Sequence, residues 1–155
     1  AFFMTIEQNP RMLDQLKRHE GLRLEAYYCP AGRLTIGYGH NLEAWPVHGL
    51  GEGSRIDKAR ATALLIDDVV RVADELDRRI PWWRELSEER QAVLVNMGFN
   101  LGVAGLMGFS KMLAACERGD FDRAASEMGN SRWAKQVGNR ALELMDQMWT
   151  GVWHG

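Results

Sequence analysis

Two stretches of this chain place apolar residues at helical intervals, and the stretch between them follows a different pattern. After Asn9-Pro10, which reads as a helix cap followed by proline at the first helical position, Leu13 and Leu16 supply an apolar face and Gly21 a stop. Asp57 reads as the cap of a longer helix reaching toward Ile80. Its apolar side carries Ala61, Leu64, Leu65, Val69, Val72 and Leu76, and Pro81 closes it. Between the two, Tyr27, Tyr28, Leu34, Ile36 and Tyr38 flank Pro30-Ala31-Gly32, the pattern of a short β-hairpin. Residues 43–55, with Pro46 and glycines at 49, 51 and 53, read as loop. Ser87 caps a further helix through Ala92, Val93, Leu94 and Met97. The rest reads as short helices separated by Gly105, Gly108, Gly119, Gly129 and Gly138. The expectation is one α+β domain over residues 1–155: a small lobe with a hairpin at about 10–56, a connecting helix at about 57–80, and a mostly helical lobe at about 81–155. A cleft between the two lobes is the expected ligand site.

Composition narrows the classes. Apolar residues make up 46% and charged residues 26% of the 155, the balance of a globular protein. No window supplies the roughly 18 uncharged apolar residues that a membrane span requires, so no stable membrane association is expected. The opening Ala1-Phe2-Phe3-Met4 is apolar but lacks a basic leading region and a cleavage site, and it does not read as a signal peptide. A net charge of −2, from 19 basic and 21 acidic residues, argues against nucleic acid as the main partner. Cys29 and Cys116 show no metal-ligand spacing and suggest no disulfide framework, which suits a reducing cytosol.

Candidate chemistry begins with Glu20, just before the helix stop at Gly21. The negative end of a helix dipole and partial burial both favour a protonated carboxyl, the form a general acid needs. Cys29 and Thr35 follow on opposite arms of the hairpin, which could bring all three side chains to one wall. Glycosidases pair an acid on the leaving oxygen with a group that activates water or attacks carbon, and a threonine hydroxyl can orient that water. The plain alternatives are a structural cysteine and a threonine chosen for its strand propensity.

The segment His19-Glu20-Gly21-Leu22-Arg23-Leu24-Glu25-Ala26-Tyr27, followed by Leu34-Thr35-Ile36-Gly37-Tyr38-Gly39-His40, resembles the phage lysozyme family, glycoside hydrolase family 24. Asn96-Met97-Gly98-Phe99-Asn100, Gly108-Phe109, Ser131-Arg132-Trp133, Asn139-Arg140-Ala141 and Thr150-Gly151-Val152-Trp153 continue the likeness in order along nearly the whole chain. The resemblance implies a lysozyme-like fold and hydrolysis of the β-1,4 bond between N-acetylmuramic acid and N-acetylglucosamine in peptidoglycan. It makes Glu20 the general acid, and Thr35 the residue that holds the attacking water. Arg140 becomes the arginine paired with the catalytic glutamate, and Phe99 and Asn100 become glycan contacts. His40 is similar to a histidine paired with an aspartate of the long helix, here Asp68, in a structural role. No cofactor and no metal are implied. The protein is expected to be a monomer that accumulates in the host cytoplasm until a separate holin-like permeabilising protein gives it access to the wall.

Departures from the family concern position 29 first, where aspartate is commonest and this chain has cysteine. An ordinary thiol ionises near pH 8.5 and an aspartate near about 3.9. Cys29 could act as a base, as electrostatic support, or as a nucleophile. Met112, Glu127 and Val137 stand where the family often has polar glycan contacts, and the 43–56 loop is shorter. Arg23, Arg33, Arg132, Lys135 and Arg140 could form a local basic rim despite the negative net charge. Other signals do not hold. Arg23 stands where a zinc-protease motif beginning at His19-Glu20 needs its second histidine, and Gly37-Tyr38-Gly39 lacks the third glycine of a dinucleotide site. Trp82-Trp83 after Pro81 read as packing for the helical lobe, and the many methionines as core filling.

Overall fold

The computed structural model describes residues 5–154; the opening Ala1-Phe2-Phe3-Met4 lies outside the described residues. The chain divides into two compact units, the first running to Arg71 and the second starting at Val72.

In the first unit, helix α1 spans Pro10–Glu20. Asn9 caps it by accepting from the backbone N–H groups of Arg11 and Met12 at 2.9 and 3.4 Å. Strands β1 (Arg23–Tyr28), β2 (Leu34–Gly37) and β3 (His40–Asn41) form an antiparallel sheet in the order β1-β2-β3. Part of the segment read as loop in fact extends this sheet. Glu25 bridges Arg55, while Ala26 and Ile56 exchange backbone bonds of 2.9 Å with Ser54 and Leu24. Three residues are too few to show an alternating pattern, so this pairing leaves no trace in the sequence. Helix α2 (Lys58–Arg79) starts from Asp57, whose side chain accepts from the Arg60 N–H at 2.8 Å. A β-carbon at Gly37 would meet Ala61 Cβ at 3.4 Å, so β2 runs close along the start of α2. Met12, Leu16, Ile36, Leu65 and Val69 are buried in this unit.

The second unit contains the end of α2, a short 3-10 turn at Trp83–Glu85, and six further helices. These are α3 (Glu88–Leu101), α4 (Val103–Met107), α5 (Ser110–Glu117), α6 (Phe121–Gly129), α7 (Arg132–Val137) and α8 (Asn139–Thr150). Gly105 lies inside α4 and Gly129 closes α6; Gly102, Gly108, Gly119 and Gly138 mark the actual breaks. Every residue from Gln91 to Gly98 is buried, making α3 the central helix, as its nearly unbroken apolar run requires. Arg90 ties α3 to the end of α8, donating to the carbonyls of Met148 and Trp149 at 2.8 and 3.0 Å. Its guanidinium also lies 3.6 Å from the Phe121 ring centroid. Trp83 is fully buried, with its indole N–H bonded to Asp77 at 2.8 Å. Cys116 is buried beside Met148, the two sulfurs 3.7 Å apart.

The approach of α3 to α2 within this unit depends on Gly98. A β-carbon there would meet Val72 Cγ1 at 3.0 Å and Val103 Cγ2 at 3.4 Å. Alanine gains about 1 kcal/mol over glycine in a helix, but overpacking a tight contact costs about 1–3 kcal/mol. Gly98→Ala is therefore expected to destabilise the protein. In urea denaturation, a double-mutant cycle with Val72→Ala should recover about 1 kcal/mol of favourable coupling. A stabilised single variant would show instead that Val72 yields freely.

Candidate functional site

Glu20 ends α1 because Gly21 turns the chain there, with φ 73° and its N–H donating to the Lys17 carbonyl at 2.9 Å. One carboxylate oxygen of Glu20, Oε2, is shut off from solvent. The other, Oε1, lies against the backbone of Gly39, where a β-carbon would collide with it. Gly39 also has φ 73°, so both the space and the dihedral select glycine.

Cys29 opens the hairpin turn. Its N–H donates to the Arg33 carbonyl at 2.9 Å, and its carbonyl accepts from the Gly32 N–H at 2.7 Å. The half-buried sulfur is held below its ordinary ionisation range, first by the backbone N–H of Arg33. Desolvation opposes this, while the Ala31 N–H, the Thr35 hydroxyl and Cys29's own N–H reinforce it. Thr35 is buried and donates its hydroxyl to the Arg33 carbonyl at 2.8 Å.

Tyr27, a residue with no assigned role in the sequence pattern, stands directly opposite Thr35 in the β1–β2 register, so their side chains share a face. Burial raises its phenol above the ordinary range; Arg23, whose guanidinium is 4.2 Å from the ring centroid, opposes this, and the charges of Glu20 and Cys29 add to it. Tyr27 thus feels both groups at once. Thr35 is the cross-strand neighbour of Tyr27, and the negative charges of Glu20 and Cys29 act on the same phenol. The signal that could have found it is its register position opposite Thr35, and the bulge in β1 between Arg23 and Tyr27 hides that register from a simple residue count.

His40 and Asp68 form a buried pair, with His40 Nδ1 2.9 and 2.8 Å from the two Asp68 oxygens. His40 Nε2 faces the Trp45 carbonyl at 2.9 Å, so both ring nitrogens meet acceptors, the arrangement that suits an imidazolium. Burial alone would push the imidazole down. The bond and charge of Asp68, together with the Trp45 carbonyl, outweigh burial and the opposing charge of Arg71, so the net shift is upward. Arg71 also pairs with Asp68 through Nη2.

In the second unit, Asn100 accepts from the Trp133 indole N–H at 2.7 Å, and Trp133 meets Phe109 edge to face at 6.1 Å between centroids. Phe99, half-buried, precedes Asn100 on the last turn of α3. Arg140 Nε donates to buried Asn96 at 2.9 Å. Motif segments far apart in sequence therefore meet around the end of α3. A cavity of about 440 Å³ adjoins them, lined in part by Phe109, Met112, Glu127, Ser131, Arg132 and Trp133. Among the described residues, no group of three or more His, Cys, Asp or Glu side chains is placed to hold a metal ion, and no helix is long and apolar enough to cross a membrane.

The family described as phage lysozyme matches this chain over residues 17–147. The pre-baseplate central spike protein Gp5 of Enterobacteria phage T4 is 30% identical over 162 residues, covering 92% of this chain; the chain spans only 28% of that protein's length. An endolysin of Acyrthosiphon pisum secondary endosymbiont phage 1 is 34% identical, over 77% of this chain and 75% of that protein. A probable T4-type lysozyme 1 of Dictyostelium discoideum is 28% identical, over 90% of this chain and 94% of that protein.

Two outcomes follow from the geometry of the first unit. The folded His40 imidazole lies above its unfolded value of about 6.5, so the charged pair stabilises fully below that pH and its contribution is lost as pH rises through the raised folded value. His40→Gln should cost roughly 3 kcal/mol at about pH 5.5, and distinctly less at about pH 8.5. A cost independent of pH would show that the pair is not ionic. Gly39→Ala should cost about 1–2 kcal/mol in backbone strain and should lower turnover further by displacing the Glu20 carboxylate. Comparing turnover at a temperature where both proteins remain folded separates the two effects.

Proposed function

The chain belongs to the phage lysozyme family, and from that premise we propose that it is a muramidase cleaving the β-1,4 bond between N-acetylmuramic acid and N-acetylglucosamine in bacterial peptidoglycan. The observation that supports this reading is the seating of Glu20 at the end of α1 against Gly39, in the same unit as the hairpin that carries Cys29 and Thr35. Protonated Glu20 gives its proton to the glycosidic oxygen as the bond from that oxygen to the anomeric carbon breaks, and the bonding pair stays on the oxygen. Thr35 orients a water on the opposite face of the sugar. Cys29, as thiolate, takes a proton from that water as its oxygen bonds to the anomeric carbon, which inverts the configuration. Solvent then returns the proton from Cys29 to Glu20. The lowered ionisation of Cys29 supports its role as the base, because a thiolate held by backbone N–H groups is present at lower pH than a free one.

Phe99 and Asn100 contact the glycan in this reading. The Trp133 N–H fixes the Asn100 amide oxygen, so the amide N–H₂ is held in a set orientation for a sugar oxygen. His40, Asp68 and Arg140 support the site without touching the reacting atoms. The protein works as a monomer, needs no cofactor, and accumulates in the host cytoplasm until a holin-like partner opens the way to the wall. The relatives named endolysin support this setting.

The test is reducing-end release from purified peptidoglycan under reducing conditions. Wild type should release new ends. Glu20→Gln should be slower by about 10²–10⁴-fold, and Cys29→Ser, which keeps size but cannot ionise, by about 10²-fold or more. Wild type that binds peptidoglycan yet releases nothing would sink the reading, and so would a fully active Glu20→Gln.

A further inference from the structure

Trp45 is the largest side chain of the 43–53 loop, and it is 49% exposed. Large aromatic rings are normally mostly buried, and one left half in water would ordinarily turn onto nearby apolar surface. Here it is held in place. Its N–H donates to the Asn41 carbonyl at 3.0 Å, and its own carbonyl accepts from His40 Nε2 at 2.9 Å. The Arg71 guanidinium lies over the ring, 3.8 Å from its centroid, while the same group is ion-paired with Asp68. The ring is therefore oriented from beneath by a guanidinium that is itself anchored to a buried carboxylate. Arg71 occupies one face of the ring, and the residue as a whole still keeps 49% of its surface in water.

We propose that the face of Trp45 opposite Arg71 is a carbohydrate-stacking platform that holds a sugar ring of the glycan strand beyond the reacting bond. The inference rests on the muramidase reading. The C–H face of a pyranose is apolar and weakly positive, which suits the negative face of an aromatic ring. A cationic partner is disfavoured because Arg71 already places a positive charge across the same ring. The flanking residues Glu43, Ala44, Pro46 and His48 are exposed, so the ring sits in a rim that mixes polar groups for sugar hydroxyls with little apolar surface for a protein partner. The platform is also coupled to the acid through the backbone: His40, which holds the Trp45 carbonyl, directly follows Gly39, against which Glu20 rests. Because the ring is fixed before ligand arrives, little ordering cost is left for binding.

The experiment uses the full chain and an N-acetylglucosamine tetramer as probe, followed by ¹H–¹⁵N spectra of the tryptophan indoles. The Trp45 signal is assigned by its loss in Trp45→Phe. The expected result is a saturable shift of that signal in wild type. In turnover of peptidoglycan, Trp45→Ala should raise KM about fivefold to tenfold with little change in kcat, and Trp45→Phe should lie between. Arg71→Lys should weaken binding in the same direction, since an ammonium cannot orient the ring as a guanidinium plane does. A silent Trp45 signal while other resonances shift would overturn the platform and leave the muramidase reading intact. If wild type neither hydrolyses peptidoglycan nor binds the tetramer, both are overturned. The wild-type spectrum decides the matter even if Trp45→Ala proves unstable.

Discussion

The order of the first unit depends on one buried carboxylate. Asp68 is taken out of water in the middle of α2, and a charge there is tolerated only where cations and hydrogen bonds compensate it. It has His40 from the sheet and Arg71 from the next turn of its own helix. Each compensation also fixes geometry. The imidazole is turned so that its second nitrogen reaches the Trp45 carbonyl, and the guanidinium is turned flat onto the Trp45 ring. Strand β3 has only two residues, too few to be held by ladder bonds alone. The ion pair does that work, and the residue before His40 is the glycine that receives the Glu20 carboxylate.

Much of this was legible in the chain. Asn9-Pro10 and Gly21 mark the ends of α1 because capping is local chemistry, set by one side chain and one backbone angle. Asp57 and Pro81 bracket α2 for the same reason. What escaped was non-local. The pairing of Ser54–Ile56 with β1 joins residues about thirty positions apart through backbone groups that any sequence possesses. Arg90 as the cap of α8 reaches across 58 positions, and nothing near it in sequence hints at the carbonyls it serves. Gly105 reads as a break but sits within a short helix packed on α3, where tertiary contact overrides propensity. Within the candidate site, Glu20, Cys29 and Thr35 were visible as residue types at suggestive spacing. The part of Tyr27 was not, because it depends on strand register across a bulge.

The cysteine at position 29 is easier to understand once the turn around it is described. The groups that steady its ionised form are mainly backbone N–H donors of residues 29, 31 and 33, with the Thr35 hydroxyl beside them. Such donors accept any compact anion, and a carboxylate would be received there by the same atoms. The turn therefore does not specify the side chain closely. What the exchange of sulfur for carboxylate changes is basicity and reach, while the fold of the hairpin is left alone.

The two thiols also live in opposite environments. Cys116 is sealed against Met148, and burial pushes it up to about 12, whereas Cys29 is half-exposed and shifted the other way. An electrophilic reagent at neutral pH thus meets a chain with one addressable sulfur, and that sulfur lies in the candidate site. A fluorophore or spin label would attach there at a single stoichiometric position without an engineered residue. Because the label would sit on the proposed base, it would report binding beside Glu20 rather than turnover.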